Sequence, residues 1–180
     1  MTYESLSFGR AGLILLIIAQ VITTTVNLIF PGDLLYYGML LLLGFSILFA
    51  NFIFRYFDQA FDSTLAKVTF IFTLIGVLGV MISAVLILIA AITLSLILIA
   101  ITLILVLFIL PAELVFYLLW GATFIVVREN VNNPSLMLAG GILFLIGIIS
   151  GLFLFGFLTF LAIIGLILVT IVMFSEGKGA

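Results

Sequence analysis

Between Val68 and Val127 the chain runs for sixty residues with a single formal charge, Glu113. A soluble domain of this size cannot cover so long an apolar surface, so its solvent must be lipid or other apolar helices. The flanking stretches repeat the same composition in shorter pieces. With 67% hydrophobic and 7% charged residues in 180, against about a quarter charged in soluble domains, there is little material for an extramembrane domain. The sequence therefore predicts one domain, residues 1–180, of the all-α integral membrane class: a polytopic bundle of transmembrane helices.

Punctuation divides the rest. Met1–Arg10 reads as a short polar head. The first apolar run, Ala11–Phe30, is twenty residues, longer than a signal-peptide core and without a small-residue cleavage site after it, so it is expected to stay as a signal anchor. Pro31-Gly32-Asp33 ends it, because proline and glycine stop a helix and Asp33 can cap the next. A second span is expected over 34–54. Arg55–Lys67 reads as the first real loop, with Asp62 or Ser63 as N-cap of the following helix. Past Val127 come Arg128-Glu129 and a polar loop, then Asn133-Pro134, a good helix start with Asn as N-cap and Pro in the first turn. The last two spans are expected over 134–151 and 153–174.

A bilayer core of about 30 Å takes about twenty helical residues, so 68–127 holds two long helices or three minimal ones. Charge decides between them. With two, Arg10, the 55–67 loop, Arg128 and Lys178 fall on one side, and the other side carries only Asp33. That is a positive-inside arrangement with both termini cytoplasmic. With three, Arg128 and Lys178 cross over. Six helices are therefore expected, with spans at 11–30, 34–54, 68–90, 96–127, 134–151 and 153–174 and an apolar turn between about Ile89 and Leu96. Seven is the alternative, because Pro111-Ala112-Glu113 also resembles a helix start. With six, Pro111 becomes a kink inside the fourth span.

Neither Cys nor His occurs. Thiolate zinc, iron–sulfur and His-ligated haem sites lose their usual ligands, and Ser–His and Cys–His catalysis is excluded. No cofactor or metal is expected. No basic patch exists to hold nucleic acid.

The remaining chemistry lies inside the spans. Glu113 is the sharpest candidate: an intramembrane carboxyl is costly and often marks a proton or cation site. Its bland alternative is a protonated Glu bonded to a neighbouring helix. Gln20, Thr23, Thr24, Thr25 and Asn27 on the first span either join Glu113 across the bundle or act as interhelical glue, worth about 0.6 kcal/mol each. The candidate intramembrane polar site is thus Glu113, Gln20, Thr24 and Asn27. Gly140, Gly147 and Gly151 share one face of the fifth span, with Gly147–Gly151 a GxxxG match, and are expected to let the last helix approach closely near Gly156 and Gly165. Tyr36, Tyr37, Tyr56, Tyr117 and Trp120 read as interface anchors.

Residues Glu113–Phe174 run from an apolar helix into a short polar loop. They continue through Asn133-Pro134-Ser135-Leu136, then Ala139-Gly140-Gly141-Ile142-Leu143-Phe144-Leu145-Ile146-Gly147, and end in a glycine-punctuated last helix. This third of the chain resembles small multi-pass membrane proteins of prokaryotes, mainly archaea, grouped as domains of unknown function. The resemblance implies a helical membrane fold and a prokaryotic cell membrane, and carries no activity. The expected function is that of a non-enzymatic structural or accessory subunit in the bilayer, associating with other membrane subunits or itself. The alternative is a small proton- or cation-coupled transporter or channel using Glu113.

Overall fold

The structure, a computed structural model, describes residues 2–29, 34–93, 96–153 and 159–176. Within these, the side chains at 2–3, 27–28, 34–37, 151–153 and 159 and most of those over 96–113 are not described. Every described element is helical: α1 (Thr2–Ile29), α2 (Leu34–Ala50), α3 (Phe52–Phe61), α4 (Thr64–Thr93), α5 (Leu96–Val127), a single 3-10 turn (Arg128–Asn130), α6 (Pro134–Phe153) and α7 (Thr159–Ser175). α2 and α3 form one rod, because Asn51 between them keeps right-handed helical dihedrals and its N–H still reaches Ile47 O at 2.8 Å. The result is six helical rods.

Side-chain chemistry explains the joints. Ser63 Oγ accepts from Ala66 N–H at 3.3 Å, and Asn133 Oδ1 from Leu136 N–H at 3.3 Å. Each satisfies an N–H that a helix start otherwise leaves open. Asp62 closes α3 in the left-handed region, at φ 50°, a conformation that Asp tolerates better than most residues. Residues 94–95, within the expected apolar turn between about Ile89 and Leu96, lie outside the described residues. So do the Pro31-Gly32-Asp33 joint and Lys178.

Three expectations are corrected. The polar head 1–10 is helix from Thr2 onward: Ser5, Leu6 and Gly9 are buried, and packing overrides the local polarity. The loop 55–67 is mostly helix, with only Asp62 and Ser63 outside it, because Ile53, Phe54 and Phe57 share a buried face at helical spacing. The seven-helix alternative fails because α5 runs unbroken for 32 residues through Pro111. The other described boundaries move by a few residues; α6 takes in Phe153, where the last span was expected to begin, and the stretch from there to α7 lies outside the described residues.

Rods consecutive in the chain run antiparallel, and α3 also meets α5, parallel to it, through Phe54 and Trp120. Gly9 meets Ile53 and Gly12 meets Ala50 between α1 and the α2–α3 rod; Gly44 meets Val77 and Met81 between α2 and α4. Thr69 meets Thr123 and Thr73 meets Trp120 between α4 and α5. Gly121 meets Leu145 between α5 and α6, and Gly147 meets Ala162 between α6 and α7. α7 returns to α1, so the six rods close into a ring in up-and-down order, with short connections joining neighbours.

One end of the ring gathers the charges. Arg10 on α1 donates from Nε to Met173 O at 2.7 Å and from Nη2 to Glu176 O. It thereby satisfies carbonyls that the end of α7 leaves open and meets the negative end of its dipole. Its guanidinium also lies 5.4 Å from the Phe174 ring centroid. Asn132 binds the same helix end through its N–H to Glu176 Oε1 at 2.5 Å and its Nδ2 to Ser175 O at 3.1 Å. Ser5 Oγ reaches Gln59 Oε1 at 3.3 Å. The α3–α4 joint, the start of α1, the end of α5 and the end of α7 therefore share one face of the molecule.

Candidate functional site

Aromatic packing dominates the charged end. Trp120 is 0% exposed and sits within ring contact of Phe54 (4.8 Å), Phe124 (6.2 Å), Phe144 (6.3 Å) and Tyr117 (6.5 Å). Such pairs add about 0.5–1.5 kcal/mol beyond their buried area. The expectation that Trp120 anchors the membrane interface is corrected. It is a core residue whose indole N–H, which must find an acceptor when buried, donates to Thr73 Oγ1 at 2.7 Å.

Around that indole the other polar side chains bond across helices. Thr69 and Thr123 hydroxyls lie 2.7 Å apart, fully buried. Asn51 Nδ2 donates to Phe70 O at 2.9 Å; this ties the α2–α3 joint to α4. Asn51 is 1% exposed and its Oδ1 has no protein partner. Among the described residues no group of His, Cys, Asp or Glu is placed to hold a metal ion. The single ion pair among them, Arg128–Glu129 at 3.3 Å, is exposed on the Glu side and contributes little.

The sequence-predicted polar site is only partly described. Gln20 and Thr24 are half-buried on α1. The side chains of Glu113 and Asn27 lie outside the described residues, but their backbones are helical. Helix register fixes their level. Six residues from Ala50 to Gly44 on α2 match six from Gly12 to Ile18 on α1; Gly44 faces Val77 and Met81, hence the level of Gly79; and the Gly76–Phe116 contact sets Gly79 level with Glu113. Gln20 on α1 is two residues, about 3 Å, from that level.

Gly140 and Gly147 face α7. A Cβ on Gly147 would overlap the Ala162 backbone, and one on Gly140 would crowd Val169 and Gly165 O. The surroundings of Gly151, in the last turn of α6, lie outside the described residues. Sequence reasoning missed Gly9 and Gly12, where a Cβ would overlap Ile53 and the Phe49–Ala50 backbone. Their three-residue spacing, continued by buried Leu13, Leu16 and Ala19, was the available signal. It also missed Phe54, Phe57, Phe116, Phe124 and Phe144 as one fully buried cluster. No protein-family model, curated protein or solved structure matches the chain.

Proposed function

We propose that this chain is an integral membrane protein, resident in a prokaryotic cell membrane with both termini cytoplasmic, that serves as a non-enzymatic structural or accessory subunit. The observation that supports it most is the division of labour in the ring. Large apolar side chains such as Phe8, Ile18, Phe45, Phe72, Ile75, Ile82 and Ile92 point outward along the rods, as a lipid-facing skin requires. Asn51, Thr69, Thr73, Trp120 and Thr123, between α2–α3, α4 and α5, are engaged in interhelical bonds. Three stretches with described side chains, Glu4–Val26, Gly38–Phe61 and Thr64–Thr93, are long and apolar enough to cross a bilayer.

The test is to isolate the protein from carbonate-washed membranes and measure its mass in mild detergent. The proposed role predicts retention in the membrane and a particle larger than one chain, through self-association or other subunits. A carbonate-soluble protein contradicts it. Reconstituted Glu113→Gln vesicles should show unchanged ion permeability.

A second reading, a small proton- or cation-coupled transporter using Glu113, is favoured by one observation: Gln20 shares the level of Glu113 within about 3 Å. A tenfold loss of proton or sodium flux in Glu113→Gln would decide for it.

A further inference from the structure

Serine and threonine inside a helix can satisfy themselves cheaply by bonding back to the carbonyl four residues earlier. Thr25, Ser46, Thr69, Thr93, Thr123 and Thr170 do so, at 2.7–2.8 Å. Thr23 on α1 and Ser83 on α4 do not. Thr23 is 7% exposed and Ser83 5%, and neither hydroxyl oxygen has a protein partner. A buried hydroxyl left without a partner is costly, and both side chains have passed over a carbonyl of their own helix that would have removed the cost.

The two stand at one level. Counting from the Gly12–Ala50 contact, Thr23 is opposite Met39 of α2; counting from the contacts of Gly44 with Val77 and Met81, Met39 is opposite the turn of α4 that holds Ser83. Thr23 repeats, eleven residues on, the face that Gly12 turns to α2, and Ser83 repeats, seven residues on, the face that Gly76 turns to α5, so the two hydroxyls share a level in different seams. That level lies four residues, about 6 Å, beyond Gly79 and hence beyond the level of Glu113.

We propose that Thr23 and Ser83 bind internal water inside the apolar part of the bundle. Each hydroxyl donates to a water oxygen and accepts from a water hydrogen. Water is the ligand class that fits, since buried water bonds to polar groups otherwise left unsatisfied and each position presents a neutral, unpartnered hydroxyl. Both positions lie within about two helical turns of the level of Glu113. They hold water whether or not the protein moves ions, so the test reads no transport.

The sign of a stability change tests it. Thr23→Val and Ser83→Ala remove a hydroxyl with little change of shape. If water holds the hydroxyls, each variant loses bonds and its melting temperature in detergent falls by about 2–4 °C, although alanine is the better helix former at position 83. If the hydroxyls are dry, removing them relieves a penalty and the melting temperature rises; a rise, or no change, in either variant overturns the proposal. Should a variant not fold, an experimental structure of the unaltered chain at about 2 Å resolution decides the same question. Water density within about 3 Å of both hydroxyl oxygens supports the site. Thr23 bonded back to Ala19 O and Ser83 to Gly79 O, with no density beside them, removes it.

Discussion

The α6–α7 pair and the α3–α4–α5 corner hold the same ring together by opposite means. Between α6 and α7 the backbones approach through Gly140, Gly147 and Gly165, and attraction comes from many small dispersion contacts that need closeness. At α3–α4–α5 the helices pack around large rings, Phe54, Phe57, Trp120 and Phe124, with Thr73, Asn51 and a threonine pair supplying directed bonds. The first seam is set mainly by what it cannot gain, the second mainly by what it cannot lose. Apolar helices in lipid gain nothing from merely meeting, since lipid tails are equally apolar, so either closeness or directed bonds must supply the specificity.

That contrast is open to attack by substitution. Trp120→Ala should cost most, about 3–5 kcal/mol, because it empties the centre of the ring cluster and leaves Thr73 without its donor. Unfolding in denaturing detergent measures it. The reverse logic applies at Gly147→Ala: a single added carbon meets the Ala162 backbone and should cost about 1–3 kcal/mol, lowering the melting temperature. A neutral result would mean that the α6–α7 seam is no tighter than an ordinary one. Trp120→Phe keeps a ring and drops the bond, so about 1 kcal/mol is expected; equal loss in Trp120→Phe and Trp120→Ala would assign the corner to its hydrogen bond alone. Smallest is Gly38→Ala on α2, where a Cβ meets nothing within 4 Å. It should be neutral or stabilise by up to about 1 kcal/mol through helix propensity, and it serves as the control that separates crowding from glycine chemistry.

Much of this architecture was legible in the residues. Six rods and the caps at Ser63 and Asn133 follow from span length, charge placement and capping chemistry, all of them local signals. The α3 helix was hidden because Arg55, Asp58 and Asp62 suggested a loop, while the spacing of Ile53, Phe54 and Phe57 carried the helical signal. Trp120 was misread for a different reason. An indole suits a headgroup boundary and a protein core equally well, and only the partners, Thr73 from 47 residues away and Phe54 from another rod, distinguish them. The levelling of Thr23 with Ser83 depends on two interhelical registers at once, which no single helix encodes.

The central claim is that the charged helix ends meet at one face of a bilayer-spanning ring. The chain has no cysteine, so single cysteines can be introduced at the exposed positions Glu4, Asp62 and Glu129 at that end and at Thr93 at the other. In sealed vesicles of known orientation, a membrane-impermeant maleimide should label Glu4→Cys, Asp62→Cys and Glu129→Cys from one side, and Thr93→Cys only from the opposite side. Labelling of the first three from different sides, or of all four from the same side, would contradict the ring as drawn.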